Sequence, residues 1–285
     1  MKRLIKKKLF QLKMKVIERS VQEIGQSLLV SLPKAWTKQL HLRKGSTVKM
    51  IISEQGNLSI APEFSQSEER KEANIIFDQH LGRRFFREYF LGNERITVQG
   101  KVSDKQKQEF HHFLNNFMNV QVIEESKDKI VVKCFKINEL TVDECLNRMF
   151  YLSLNLMQEG YKKEITVTAK KFYYMLVMQI RRFLTEGKFT KENEMPLIRA
   201  LDYRMAAEKV DRIIRLTETS AVPKDIYEYY AKSFSYFRNN DYEKALHLWN
   251  EEKQLQERYS RLKGPKREAF LNIISLAREI SMLIR

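Results

Sequence analysis

Gly25-Gln26-Ser27-Leu28-Leu29-Val30-Ser31-Leu32-Pro33-Lys34-Ala35-Trp36 decides the reading of this chain, and Leu42-Arg43-Lys44-Gly45-Ser46-Thr47-Val48 and Gly56-Asn57-Leu58-Ser59-Ile60-Ala61-Pro62 complete it. Leu28-Leu29-Val30 leads to Leu32-Pro33. Val48-Lys49-Met50-Ile51-Ile52 and Leu58-Ser59-Ile60 are two further strand-like runs, separated by the turn residues Gln55-Gly56-Asn57. Between them, Lys34 to Leu42 reads as one short helix, with Pro33 suited to its start and Gly45 to the turn beyond. The pattern is strand-like from Val16 to Pro62, a module of about 45 residues, which is too small to hold a core unless it oligomerises.

Outward from this module, the polar stretch Ser65 to Glu72 marks a boundary. Residues 73–138 then mix periods. Arg83 to Phe90 and Ser103 to Met118 have helical spacing, while Ile96-Thr97-Val98, Val120 to Ile123 and Ile130 to Phe135 read as strands, so a small α/β connector is expected. His111 and His112 are neighbours on a helix and point about 100° apart, so they are read as ordinary helix residues and not as a metal pair.

From Thr141 to Arg285 the chain reads as helix after helix. Thr141-Val142-Asp143-Glu144 has the form of a capping box, and Val142, Cys145, Leu146, Met149, Phe150, Leu156 and Met157 follow at helical spacing to a stop near Gly160. A second helix is expected from about Glu164 to Gly187 and a third from near Pro196 to Ser220. Pro223, Asp241 and Gly264-Pro265 punctuate three more. Two groups of three divided near Val222 make a tandem three-helix bundle. Phe172, Tyr173, Tyr174, Tyr229 and Tyr230 recur at helical spacing and are read as bundle seams. The expected fold is therefore α+β and multidomain, with residues 14–62, 73–138 and 141–285 as its parts.

The 285 residues carry 52 Lys/Arg against 36 Asp/Glu, a net +16, and the excess is uneven. Residues 1–62 hold 13 Lys/Arg against 3 Glu, residues 63–138 hold 13 against 12, and residues 139–285 hold 26 against 21. A local cationic excess points to an anionic partner, nucleic acid or a membrane surface. Six of the charges lie in an arm at residues 1–13 (Lys2, Arg3, Lys6, Lys7, Lys8 and Lys13), and Met14 is an alternative start. Flexible cations there would add sequence-independent affinity for DNA, whereas Leu4, Ile5, Leu9 and Leu12 on one helical face would suit an anionic membrane. No apolar run reaches the roughly 18 residues of a transmembrane helix. With two cysteines, no CxxC pair and no secretory signal behind Met1, a cytoplasmic location is expected.

The three quoted segments resemble the SpoVT-AbrB or MazE-type swapped-hairpin domain, in which G-x-S-x-x-V-x-L-P-K-x-W, L-x-x-G-D-x-V and G-x-L-x-I-x-P recur in this order. The resemblance implies a β-barrel interleaved from two chains that binds DNA, hence a homodimer. A two-fold axis would then present paired cations to a pseudo-palindromic site. Candidate contacts are Arg19, Lys34, Lys38, Arg43 and Lys44, with Gln22 and Gln26 able to bond base edges or phosphates. Ser46 stands where the family usually has Asp, and Gln22, Glu23 and Ser31 stand at positions that are often basic. These departures weaken the grip on phosphate.

The helical region resembles PhoU, a phosphate-signalling protein of two three-helix repeats. The residues that carry this are Leu146-Asn147-Arg148-Met149, the segment Phe172 to Arg182, Ala207 to Glu218, and Asn240-Asp241-Tyr242-Glu243-Lys244-Ala245 with its D-x-x-x-A helix start. A swapped hairpin joined through an α/β segment to such a region resembles the archaeal-type phosphate uptake regulators. PhoU proteins bind metal clusters through E-x-x-x-D motifs. Here Asp211 and Glu218 align, but Ala207 replaces the first acid, Arg212 replaces a histidine, and Leu271 to Met282 lacks the second Asp. Arg204, Glu208, Asp211, Arg215 and Glu218 instead form one stripe of alternating sign, read as a solvated salt-bridge face and not a metal site.

No phosphate loop of G-x-x-x-x-G-K form, no G-x-S-x-G elbow and no H-E-x-x-H occurs, so neither an enzyme nor a cofactor is expected. The first functional expectation is a dimeric DNA-binding transcription or phosphate-uptake regulator whose helical part senses or docks a partner. The alternative is a PhoU-type adaptor without DNA binding, docking on a transporter ATPase or a signalling kinase. An antitoxin is disfavoured because most of the chain would have no duty in one.

Overall fold

Two short hairpins and one helical turn and a half make up everything described before residue 63 in the computed structural model. The described residues are 17–52, 56, 58–62, 71–136, 140–186, 197–219 and 221–284. The basic arm at 1–13, the alternative start Met14 and the turn residues Gln55 and Asn57 lie outside them. Helix accounts for about 58% of the described residues, and eight strands make the chain α+β. It divides into two compact units, residues 1–67 and 68–285, so the α/β segment and the six helices share one unit.

In the first unit β1 (Val21–Ile24) pairs antiparallel with β2 (Ser27–Val30), α1 spans Lys34–Gln39, and β3 (Val48–Ile52) pairs antiparallel with β4 (Leu58–Pro62). Gly25 takes the positive φ of 63° that turns β1 into β2 within two residues. The two hairpins are separate two-stranded sheets. The barrel expected of this segment is thus not closed by one chain, because each strand finds a single partner and strands of four or five residues cannot wrap a core. β1 falls inside the stretch read as strand-like from Val16, although its Val21-Gln22-Glu23-Ile24 lacks clean alternation and does not stand out as a run.

The second unit opens with a four-stranded sheet in the order β5-β6-β8-β7: β5 (Glu72–Ile76), β6 (Arg95–Gln99), β8 (Lys129–Cys134) and β7 (Val120–Glu125). β5 and β6 run parallel, joined by α2 (Leu81–Phe90), and the other pairs are antiparallel. α3 (Asp104–Leu114) begins at a capping box made by Ser103 and Gln106. Phe85, Tyr89, Phe110, Leu114 and Phe117 from the helices and the turn after α3 meet Ile75, Ile96, Val98, Ile130 and Val132 of the sheet in one apolar core. The Tyr89 hydroxyl, buried there, donates to Asn119 Oδ1 at 2.7 Å.

Six helices follow: α4 (Val142–Glu159), α5 (Lys163–Glu186), α6 (Leu197–Leu216), α7 (Lys224–Asn239), α8 (Tyr242–Ser260) and α9 (Pro265–Ser281). The capping box is formed as expected: the Glu144 amide donates to Thr141 Oγ1 at 3.0 Å and the Thr141 amide to Glu144 Oε2 at 2.7 Å. α4, α5 and α6 pack on one another, as do α7, α8 and α9, and the groups meet through α6 against α9 and α4 against α7. At that second seam the Phe150 and Phe234 rings stack with centroids 3.8 Å apart, and Ser153 Oγ bonds the buried Tyr230 hydroxyl at 2.8 Å. Tyr174, Tyr229 and Tyr230 are buried, and Phe172 and Tyr173 are packed at the margin of the core, as their spacing predicts. α5 ties the layers together, since Tyr174 joins the α/β core while Met175, Leu176 and Ile180 join the bundle core. No described helix is long and apolar enough to cross a membrane.

Candidate nucleic-acid interface

The hairpin register sorts the first unit's side chains by face. Opposed residues share a face and neighbours in a strand do not. Val21 faces Val30 and Glu23 faces Leu28, while Gln22 faces Leu29 and Ile24 faces Ser27. Gln22 and Glu23 therefore point to opposite sides of β1–β2, and the carboxylate does not stand beside the amide proposed to touch DNA. In β3–β4, Val48, Met50, Ile52, Leu58 and Ile60 all fall on one face, an unbroken apolar surface. Met50 is 62% exposed, Ile52 75% and Leu58 55%. Among the described side chains of residues 17–62 none is buried.

α1 begins at Pro33, whose carbonyl accepts from the Thr37 amide at 3.0 Å. Lys34 and Lys38 lie four residues apart and so share one helix face, both exposed. The helix stops where His41 adopts a left-handed φ of 53° and its amide bonds the Lys38 carbonyl. A tight turn follows: the Arg43 amide donates to Ser46 Oγ at 2.9 Å and the Ser46 amide returns a bond to the Arg43 carbonyl at 2.9 Å. Ser46 thus supplies the side-chain acceptor that an aspartate would offer there, and Gly45 at φ 88° lets the backbone turn. Arg43 and Lys44 ride exposed on this turn, Gln26 sits exposed in the β1–β2 turn, and Arg19 precedes β1, also exposed. The turn chemistry brings Lys34, Lys38, Arg43 and Lys44 within one helix–turn segment; Arg19, Gln22 and Gln26 belong to the hairpin before it.

The degenerate acidic motif sits on α6. Arg215 pairs with Asp211 at 2.9 Å and Arg204 with Glu208 at 3.7 Å, so opposite charges pair along the stripe, but the Asp211 side chain is only 16% exposed and the face is not the solvated one expected. Burial holds the Asp211 carboxyl above its usual range in spite of Arg215. Glu218 is a correction: it lies beyond α6 in the closing turn and does not join the stripe. Thr217 and Thr219 turn their hydroxyls back to the Ile214 and Leu216 carbonyls at 2.7 and 2.9 Å, and the helix ends there. A hard cation would find too few oxygen ligands around Asp211, and the residues present do not fit a PhoU-type cluster. Among the described residues no group of three or more His, Cys, Asp or Glu side chains gathers around one point. His111 bonds Glu125 at 2.7 Å, and this bond with Lys107 nearby keeps the Glu125 carboxyl below its usual range.

A feature that sequence reading passed over is the outer face of α8, where Tyr242, Leu246 and Trp249 are exposed at a spacing of four and three. The signal was present in the spacing, but nothing in the sequence says which apolar stripe of α8 the bundle covers. Compared with protein-family models, with curated proteins and with solved structures, the chain matches none.

Proposed function

We propose that the chain is a dimeric DNA-binding regulator, in which the hairpins of residues 17–62 interleave with those of a second copy and the helical unit senses or docks a partner. The resemblance to the SpoVT-AbrB and PhoU families supplies the class. The observation that carries the reading is the first unit's inversion: Met50, Ile52 and Leu58 stand in water on one face of a hairpin, in a segment none of whose described side chains is buried. A second copy gives those residues a core. It also doubles Arg19, Lys34, Lys38, Arg43 and Lys44 about a two-fold axis, an arrangement suited to two half-sites on a duplex.

Fluorescence anisotropy on labelled duplex, titrated with salt, tests the reading. Removing Arg19, Lys34 and Arg43 by alanine substitution takes six cations from the dimer. If all six touch phosphates, the slope of log affinity against log salt falls in magnitude by about 5. Absence of salt-sensitive duplex binding by the full chain would overturn the DNA role. Loss of binding on deleting residues 1–13, with no effect of the three substitutions, would place the contact in the arm instead.

A second reading, a PhoU-type adaptor that docks on a transporter ATPase or a kinase without DNA, draws on the exposed Tyr242, Leu246 and Trp249 of α8. Aromatic side chains left in water on a helix face suit a protein partner. Retained partner capture by residues 68–285 together with no DNA binding by the whole chain would favour it.

A further inference from the structure

Of the nineteen residues of α8 only Leu248 and Leu255 are buried, and the helix packs on α7 and α9. On another side stand Tyr242, Leu246, Trp249 and Lys253, spaced four, three and four, which at 3.6 residues per turn fall within an arc of about 60°. All four are exposed. The Trp249 ring is nevertheless held in place, because the Arg278 guanidinium of α9 lies 5.7 Å from its centroid and is itself paired with Glu252 at 3.2 Å. An exposed ring that is already fixed loses little freedom on meeting a partner. The charges at the two ends of the stripe say which partner fits. Of the three cations of α8, Lys244 pairs with Asp241 at 2.6 Å and Arg258 with Asp225, while Lys253 has no partner among the described residues. Glu243, ten residues before Lys253, has none either.

One helix thus carries an apolar centre with an unpaired carboxylate at one end and an unpaired ammonium at the other, a pattern complementary to itself when reversed. Laid antiparallel on a second copy, with the two-fold axis between residues 247 and 248, α8 sets Leu246 against the partner's Trp249. The same register brings Lys253 to the partner's Tyr242 and Glu243, where the ammonium meets an aromatic face and a carboxylate. A parallel arrangement would instead oppose Lys253 to the partner's Lys253 and Glu243 to the partner's Glu243, and like charges set against each other repel. We propose that α8 pairs antiparallel with α8 of a second copy of this chain through Tyr242, Leu246, Trp249 and Lys253. The contact goes beyond the DNA reading and does not rest on it, since every residue in it belongs to the second unit. It gives to a second copy the stripe that the adaptor reading gives to a different protein.

Disulfide trapping in the full chain tests the pairing and its direction. Tyr242→Cys and Lys253→Cys stand eleven residues apart, about 16 Å along the helix, whereas a disulfide spans Cα atoms no more than about 7 Å apart, so a bond between the two sites joins two chains. The native Cys134 and Cys145 are buried and stay out of the reaction. Three apolar side chains a side make a small interface, so mild oxidation is carried out at about 100 μM chain. The double variant is expected to run as a covalent dimer on a non-reducing gel. Each single variant should be trapped at least about tenfold more slowly, because antiparallel pairing holds the two copies of position 242, and the two of position 253, about 16 Å apart as well. Adding Leu246→Glu, at an exposed position where the fold does not depend on the side chain, should slow trapping of the double variant about tenfold by placing a carboxylate against the partner's Trp249. Three results would overturn the proposal: single variants trapped as fast as the double, no effect of Leu246→Glu, or no trapping at all, which would leave the stripe to a different protein.

Discussion

Ile52→Ala separates an interleaved first unit from one that stands alone. In the single chain the Ile52 side chain is 75% exposed, and truncating a residue in water changes stability by no more than about 0.5 kcal/mol. If a second copy covers the face it shares with Met50 and Leu58, the side chain is buried in the dimer, and removing most of it forfeits about 2 kcal/mol. A two-fold dimer carries the change twice, so the loss is about 4 kcal/mol, or roughly 1,000-fold in the dimer dissociation constant. Sedimentation equilibrium on the full chain over a dilution series reads that constant directly. Tyr151→Ala is the matched control, because Tyr151 is 58% exposed on α4 and lies outside the hairpins. A wild-type chain that sediments as a folded monomer at micromolar concentration, or an Ile52→Ala dimer as tight as wild type, would refute the reasoning.

Other outcomes follow from the second unit. Thr141→Ala removes the first acceptor of α4 and is expected to cost about 1 kcal/mol in urea unfolding. The Thr141 amide and hydroxyl hold the Glu144 carboxyl below its unfolded value of 4.5, so that carboxylate's stabilising contribution is present above 4.5 and is lost as pH falls through the lower folded value. Thr141→Ala removes the hydroxyl but keeps the amide, the larger of the two causes, so the acid limb of the pH–stability curve should flatten only in part. Phe234→Ala opens a void against the stacked Phe150 and should cost about 3–5 kcal/mol, as full-chain denaturation would record. Elemental analysis of untagged, dialysed protein is expected to find no stoichiometric iron, zinc or manganese. Two or more retained ions per chain would mean that carboxylates such as Asp211 are ligands and not salt-bridge partners.

Much of the helical half was legible because its punctuation is chemical and local. Thr141 and Glu144 announce one helix start, Pro223 and Asp241 two more, and Gly264-Pro265 the last, each satisfying or sparing the free amides of a first turn. Where tertiary partners decide, the sequence was silent. Glu72-Ala73-Asn74-Ile75-Ile76 has little strand character of its own, and β5 exists because β6 supplies its hydrogen bonds. Helix α3 ends at Leu114, four residues earlier than its spacing suggests, because Asn115 and Asn116 turn the chain and the Asn116 side-chain amide bonds the Phe113 carbonyl at 2.8 Å. Candidate contacts on the hairpin could be proposed from the sequence, but the placing of Gln22 and Glu23 on opposite faces needed the register.

Genome-wide footprinting of the native protein is the measurement closest to the central claim, because it asks whether the chain occupies DNA at all and names the sites if it does. A dimer reading DNA through paired copies of Lys34, Lys38, Arg43 and Lys44 should give discrete footprints whose shared sequence has two-fold symmetry, and the footprints should fade in a strain carrying Arg19→Ala, Lys34→Ala and Arg43→Ala. No enriched sites, together with no salt-sensitive duplex binding by the purified chain, would contradict the account.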